Sequence, residues 1–104
     1  MIPSYEGWID LEVNIRYFYP LRDLTGMSDE KVRVDEGSTV GDLLSALSRR
    51  YGGDFERYIY SGVKRKGLKI VFLLDGRNIL QLQGLATKLV DGCTVTMMPP
   101  VAGG

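Results

Sequence analysis

Residues 39–53, with the sequence TVGDLLSALSRRYGG, contain the clearest helix pattern in this chain and decide its fold class. Thr39 is placed to cap the helix start, and Asp42 suits the exposed amide groups of the first turn. Gly52 and Gly53 predict a left-handed stop at the other end. The apolar positions follow the spacing of one buried helix face, and they are Val40, Leu43, Leu44, Leu47 and Tyr51. The stretch therefore predicts one amphipathic helix packed on a sheet.

Alternating apolar and polar residues predict two strands before this helix. The alternation covers residues 11–19 and again residues 30–36, which is the period-two pattern of half-buried strands. Pro20 ends the first strand because proline cannot donate a hydrogen bond to the ladder. Residues 21–26 are predicted to form a turn anchored by leucines, so the two strands make a hairpin with a wide loop.

Three strands are predicted after the helix. Residues 69–74 form an almost continuous apolar run, which is typical of a strand buried on both faces. Residues 79–82 are predicted as a short returning strand, and residues 93–98 as the last strand. Tight turns are predicted at residues 75–76 and 91–92, both Asp-Gly, because glycine readily supplies a positive φ.

The predicted order is strand, strand, helix, strand, short strand, strand. It indicates the α+β class and a β-grasp (ubiquitin-like) roll, a mixed sheet with one main helix packed on one face. We expect the first strand to run parallel to the strand after the helix, and the last strand to lie beside the first, with both in the middle. Residues 54–67 allow a short helix or a turn. The predicted boundaries are an N-terminal extension at 1–11, a β-grasp domain at 12–98 and an extended tail at 99–104.

Composition and charge narrow the expected partners and compartment. The 104 residues suit one domain. Thirteen Lys and Arg balance thirteen Asp and Glu, so no long-range field favours nucleic acid or an anionic membrane as a partner. One cysteine, Cys93, excludes an internal disulfide and suits a reducing compartment. No apolar run approaches the ~20 residues of a membrane span, and no secretion signal is recognisable, so we expect a cytoplasmic protein.

The absence of histidine argues against catalysis by this chain alone. Without histidine, a Ser–His or Cys–His nucleophile is excluded and an ordinary zinc site is disfavoured. The phosphate-binding motifs GxxxxGK[ST] and GxGxxG are missing too. Cys93 is expected to be a small sheet residue, because no basic neighbour or helix start lowers the pKa of its thiol. We therefore expect a protein that is not an enzyme on its own and binds no cofactor.

The last six residues are predicted to be the functional part of the chain. They follow the last strand and carry no charged side chain, and they are Pro99, Pro100, Val101, Ala102, Gly103 and Gly104. The two glycines have no Cβ and fit a narrow channel. The prolines favour an extended backbone and lower the entropy cost of ordering the tail. Val101 and Ala102 are small apolar side chains that can contact the wall of a channel. The pattern predicts a tail whose terminal carboxylate is handed to another protein.

Several stretches resemble the MoaD family, the small sulfur-carrying subunits of molybdopterin synthase within the MoaD/ThiS ubiquitin-like group. In order, they are YFYPLRDLTG at 17–26, GSTVGDLL at 37–44, DGRNI at 75–79, LVDG at 89–92 and PPVAGG at 99–104. The resemblance covers residues 12–104, and its most specific part is the closing PPVAGG. Departures from the family pattern are the extension at 1–11, the longer segment at 54–68, Asp75 in place of a common asparagine and Cys93 in place of a common acidic residue.

The resemblance implies a role as a sulfur carrier. A ubiquitin-activating-type adenylyltransferase would use ATP to adenylate Gly104, and a sulfur donor would convert it into a thiocarboxylate. With the large subunit of molybdopterin synthase, that sulfur would build the dithiolene of molybdopterin, for molybdenum or tungsten. Phe18, Ile79 and Met98 match positions that contact the large subunit and overlap the site of the activating enzyme, and we expect them to be exposed.

Three other functions stay open at this point. The chain could be a ubiquitin-like modifier that is joined through Gly104 to lysines of other proteins. It could carry sulfur for thiamine synthesis or for tRNA thiolation. It could also be a β-grasp interaction module with an idle tail.

Overall fold

The computed structural model describes residues 10–64 and 70–99, except for the side chains of residues 61–64. The helices and strands follow the predicted α+β order with two additional helices. In chain order they are β1 (Asp10–Tyr17), α1 (Leu21–Thr25), β2 (Asp29–Asp35), α2 (Val40–Tyr51), α3 (Gly53–Lys64), β3 (Val71–Leu74), β4 (Arg77–Asn78) and β5 (Thr94–Met98). Two single turns of 3₁₀ helix, Ile79–Gln81 and Gly84–Ala86, connect β4 to β5.

The five strands form one mixed sheet in the order β2-β1-β5-β3-β4. The predicted place of the last strand is confirmed, because β5 pairs with β1 in parallel and both lie inside the sheet. The expected parallel relation between β1 and β3 is wrong. β2 is antiparallel to β1, and β3 is antiparallel to β5, so β3 runs parallel to β2 and antiparallel to β1. The crossover through α2 and α3 therefore joins β2 to β3, as in a β-grasp roll.

Helix α2 forms as the sequence pattern predicts. The Asp42 amide donates to Thr39 Oγ1 at 3.1 Å, and the Thr39 amide donates to Asp42 Oδ2 at 2.9 Å, so both ends of a capping box are present. The apolar face is buried at Val40, Leu43, Leu44 and Leu47, with Tyr51 half-buried. Gly52 has a φ of +92° and ends the helix. Gly53, which was expected to share in that stop, instead begins α3.

Two segments that were predicted as turns or left open are helical. Residues 54–67, which allowed a helix or a turn, contribute most of α3, and Phe55 and Ile59 one turn apart are buried beneath the sheet. The turn at 21–26 contains the short helix α1. Leu21 anchors it in the core, whereas Leu24 is 38% exposed, so only one of its two leucines is an anchor.

The apolar run at 69–74 is buried on one face of the sheet only. Within the described residues 70–74, Ile70 and Phe72 are buried, while Val71 and Leu73 point to the other face and are half-buried. The core residues of all three helices and of the sheet form one cluster. The helices therefore cover a single face, and the prediction of burial on both faces is wrong.

The Asp75-Gly76 turn joins β3 to β4 as predicted. Both residues have positive φ values, +49° and +86°, which a two-residue type I′ hairpin turn requires. The prediction of a returning strand at residues 79–82 is wrong, because the strand is Arg77–Asn78 and ends before them. The Asn78 side chain accepts a hydrogen bond from the Leu80 amide at 2.9 Å and starts a 3₁₀ turn in place of a longer strand.

A carboxylate at the edge of the core holds three elements together. Glu30 on β2 has a side chain that is only 8% exposed. It accepts hydrogen bonds from the hydroxyls of Tyr17 at 2.5 Å and Tyr51 at 2.7 Å, and it pairs with Arg50 at 3.0 Å. The Tyr17 ring also meets the Phe55 ring edge-on, with centroids 6.3 Å apart. The end of β1 is thereby fixed against β2, α2 and α3.

We predict that Tyr17→Phe lowers the free energy of unfolding by about 1.5 kcal/mol at neutral pH, because it removes a hydrogen bond to a charged group. Burial, followed by the hydrogen bond to Glu30, raises the pKa of Tyr17. The fold therefore favours the neutral phenol, and this contribution is present below about pH 10, the ordinary tyrosine pKa, and is lost as the pH rises further. The phenylalanine variant should lose stability less steeply above that pH.

Urea unfolding at neutral and alkaline pH measures both effects. Tyr19→Phe is the matched control, because Tyr19 is 63% exposed, and it should leave the stability at neutral pH within experimental error of the parent. Equal stability of the Tyr17→Phe chain and the parent at neutral pH would contradict the assigned role of the cluster.

Candidate functional site

The predicted functional tail begins at the end of the central strand. β5 is hydrogen-bonded to β1 on one side and to β3 on the other, so the point where the chain leaves the sheet is fixed. Pro99 follows β5 directly and is half-buried. The remaining tail residues lie outside the described residues, and they are Pro100, Val101, Ala102, Gly103 and Gly104. The described part of the site is therefore the root of the tail and the surface around it.

Phe18 lies beside this root and points away from the core. Its backbone amide donates to the Met97 carbonyl at 3.1 Å, one step beyond the last β1–β5 pair. Its side chain is 36% exposed, whereas the preceding Tyr17 is buried. The Arg16 guanidinium lies 5.8 Å from the centre of the Phe18 ring, a cation–π contact on the same face of β1. The expected exposure of Phe18 is confirmed, and its role in docking stays a prediction.

Met98 lies on the face of the sheet opposite the helices, together with neighbours that were not predicted as site residues. It is half-buried and pairs with Val71 on β3, and Leu73 lies on the same face two residues further on. We call Phe18, Val71, Leu73 and Met98 the outer-face patch. The two β3 residues were missed because a continuous apolar run suggested a strand covered on both sides. The sequence nevertheless indicated that they are not covered on both sides, because it predicts one main amphipathic helix and a single helix covers only one face of a sheet.

Ile79 is not part of this surface. Its exposed fraction is 3%, so the expectation that it is exposed is wrong. The 3₁₀ turn that begins after Asn78 directs Ile79 into the core and leaves its neighbour Leu80 74% exposed. Ile79 could contact a partner only if it left the core, and nothing in the described residues indicates such a movement.

Further exposed apolar residues lie on the connection between β1 and β2. Tyr19, Leu24 and Met27 are 63%, 38% and 36% exposed, respectively. They follow Phe18 in the chain, and α1, which carries Leu24, contacts α3. Residues 21–26 of this connection were predicted to form a turn anchored by leucines, although the many large apolar residues between two strands indicated that some of them are exposed.

Cys93 lies away from the tail root and is buried. It precedes β5, so a distance of about 20 Å, at about 3.3 Å per residue, separates it from Pro99. It is 2% exposed, and burial, with the carboxylates of Asp75 and Asp91 nearby, raises the pKa of its thiol. Hydrogen bonds with the backbone oppose this rise, but burial outweighs them, and neither a basic side chain nor a helix start is among the causes of the shift, as the sequence predicted. The thiol is poorly suited to carry sulfur to the tail.

The described part of the chain shows neither a metal centre nor a membrane-spanning helix. Within residues 10–64 and 70–99, no three side chains of the metal-binding types His, Cys, Asp and Glu are grouped closely enough to hold an ion. In the same ranges, no helix has the length and apolar character needed to cross a bilayer.

Comparison with known proteins gives a family match that includes the tail. The profile of the ThiS family matches residues 15–104. Small archaeal modifier protein 3 of Haloferax volcanii is 38% identical over 94 residues, which are 90% of this chain and 100% of that protein. Sulfur carrier protein CysO of Mycobacterium tuberculosis is 35% identical over 85 residues, covering 81% and 89% of the two chains.

A solved structure extends the likeness to the three-dimensional arrangement. The protein described as molybdopterin converting factor, subunit 1, from Pyrococcus furiosus superposes with a TM-score of 0.69 at 26% identity, and the match covers 88% of this chain and 99% of that one. The β-grasp, ubiquitin-like fold is thus common to this chain and its relatives. Their names include a protein modifier, a sulfur carrier and a molybdopterin factor.

We predict that the Cys93 thiol of the folded protein reacts with iodoacetamide at least about tenfold more slowly than the same thiol in urea, because only the thiolate is nucleophilic and both its formation and its access are suppressed. Mass spectrometry of samples quenched over time measures the two rates. The Cys93→Ser chain gives the background, and equal rates in the folded and unfolded protein would contradict the prediction.

Proposed function

This chain belongs to the ThiS family of ubiquitin-like sulfur carriers, and on that premise we propose that it carries sulfur on the carboxyl group of Gly104 for the synthesis of molybdopterin. The observation that carries the proposal is the position of the tail. An uncharged segment that ends in two glycines follows the central strand, and the family match runs through it to residue 104.

The proposed chemistry makes a poor acyl donor reactive in another protein's site. A carboxylate has no good leaving group, so an activating adenylyltransferase joins Gly104 to AMP from ATP and releases pyrophosphate. A sulfur donor then displaces AMP and leaves a thiocarboxylate, whose sulfur is more nucleophilic than a carboxylate oxygen. This chain has no histidine, so we assign the general acid and base groups to its partners, among them the large subunit of molybdopterin synthase.

Two observations favour the pterin as the recipient of the sulfur. The closing PPVAGG resembles the MoaD branch of the group, and the structural likeness to the molybdopterin converting factor extends over most of both chains. One observation favours a second function, because a protein named as a modifier is 38% identical to this chain. Conjugation to lysines would use the same adenylated Gly104, with an amine in place of the sulfur nucleophile.

We propose that the outer-face patch docks the activating enzyme and the synthase subunit. An enzyme that encloses the tail must also contact the surface around its root, and this surface is apolar at Phe18 and Met98 with the Arg16 guanidinium at its rim. Exposed apolar patches on small domains commonly mark interaction sites.

We predict that incubation with the activating enzyme, ATP and a sulfide source raises the intact mass by the difference between oxygen and sulfur. A chain that lacks Gly104 should gain nothing, whereas Cys93→Ser should gain the same mass because the buried thiol is not on the route. Addition of the large synthase subunit and the pterin precursor should return the mass to that of the carboxylate. As a positive control, the activating enzyme should convert its own carrier into the thiocarboxylate. If the same enzyme leaves the mass of this chain unchanged, the proposal is refuted.

The same material separates the second function from the first. Incubated with the activating enzyme and ATP in a cell lysate, a modifier forms isopeptide bonds between Gly104 and lysines, which peptide mass spectrometry detects after digestion. Lysine conjugates without sulfur transfer to the pterin would favour the modifier.

We predict that Phe18→Asp weakens binding to the activating enzyme by about tenfold or more, since a charge at the centre of an apolar contact must be desolvated. Val90→Asp is the matched control, because Val90 is 57% exposed but precedes β5 at the end opposite the tail. Isothermal titration calorimetry measures binding, and circular dichroism checks that both variants fold. Unimpaired binding by a folded Phe18→Asp chain would exclude this docking surface.

A further inference from the structure

A polar cleft lies between α2 and α3, on the face of the protein opposite the outer-face patch. It has a volume of about 220 Å³. Its lining consists of polar side chains from the two helices, and these are Ser45, Ser48, Arg49, Glu56 and Tyr60. The three α2 residues are spaced by three and four positions and therefore lie on one face of that helix. The two α3 residues are four positions apart and lie on one face of α3 in the same way. The sulfur-carrier function described above makes no use of this cleft.

Ser48 forms the buried part of the lining and lacks a partner. The residue is 8% exposed, whereas Ser45, Arg49 and Glu56 are exposed. Among the described residues, nothing forms a hydrogen bond with the Ser48 hydroxyl. Buried hydroxyls in native proteins almost always have a partner, because an unpaired one loses its hydration without compensation. Because the oxygen itself is closed to solvent, a polar group in the cleft would supply the missing hydrogen bond after rotation about the Ser48 Cα–Cβ bond.

The two charged side chains of the lining are also unpaired. Two neighbouring arginines have carboxylate partners, since Arg50 pairs with Glu30 and Arg57 with Asp54. In contrast, neither Arg49 nor Glu56 forms an ion pair within the described part of the chain. As far as the described residues show, the cleft therefore presents one unpaired cation and one unpaired anion together with hydroxyl groups.

We propose that this cleft binds a small zwitterion of the α-amino acid class. The ligand's carboxylate would accept hydrogen bonds from Arg49 and a lining hydroxyl, and its ammonium group would donate to Glu56. A simple anion would be repelled by the glutamate, and a simple cation by the arginine. The volume is below the 300 to 1,000 Å³ typical of pockets for drug-sized ligands and suits a smaller molecule. The inference does not depend on Gly104.

Titration of the full ¹⁵N-labelled chain with glycine and with L-serine tests this proposal. We expect saturable shifts of the backbone amide resonances of Ser45, Ser48 and Glu56 in the NMR spectrum. Propionate carries only the carboxylate and ethylamine only the ammonium group. We expect each to bind at least about tenfold more weakly than the amino acids, because propionate cannot donate to Glu56 and ethylamine cannot accept from Arg49. Absence of a saturable shift with both amino acids, or equal affinity for propionate, would overturn the proposal.

Variants of the lining test the assigned contacts. Arg49→Gln and Glu56→Gln should each reduce the affinity for the amino acid by about tenfold. Ser48→Ala should reduce the affinity as well, yet be no less stable in urea, because it removes an unpartnered buried hydroxyl. Arg57→Gln, an arginine of α3 outside the lining, should bind like the parent. Unchanged affinity of the Glu56→Gln chain would show that no zwitterion is recognised.

Discussion

The parallel pairing of β1 with β5 is the constraint on which the rest of this structure depends. It joins residues about 80 positions apart, from Asn14 opposite Thr94 to Tyr17 opposite Met97. Such a pairing costs loop-closure entropy before it contributes any contact. Its inward side chains offset that cost, because Ile15, Val95 and Met97 are fully buried in the common core. The pairing also brings the end of β1 and the start of the tail to the same end of the sheet.

The side chains of two adjacent residues point to the two different faces of the sheet, one into the core and one outward. Tyr17 points inward, where its hydroxyl donates to Glu30 and its ring meets Phe55. Phe18 points outward beside Met98. Because Tyr17 is fixed by these contacts, the backbone that carries Phe18 has a defined position next to the tail. We propose that this chain supplies the tail and a docking surface and that its partners supply the reaction chemistry.

Features that depend on neighbouring residues were determined by the sequence alone. Periodicity and capping residues predicted α2, because the buried stripe and the bonds between Thr39 and Asp42 lie within one short segment. The Asp75-Gly76 turn was equally predictable, since it needs only two residues that tolerate a positive φ. These local signals, placed in order, were sufficient for the α+β class and for the position of the last strand beside the first.

Which apolar residues are covered was decided only by the tertiary structure. Val71 and Leu73 belong to a run as apolar as any core strand, but all helices pack on the other face of the sheet. Ile79 is buried and Leu80 exposed because a 3₁₀ turn replaces the predicted strand there. The polar cleft at Ser48 likewise exists only where α3 packs on α2. The sequence determined the elements and the tail, whereas burial depends on contacts between residues distant in the chain, which local patterns do not encode.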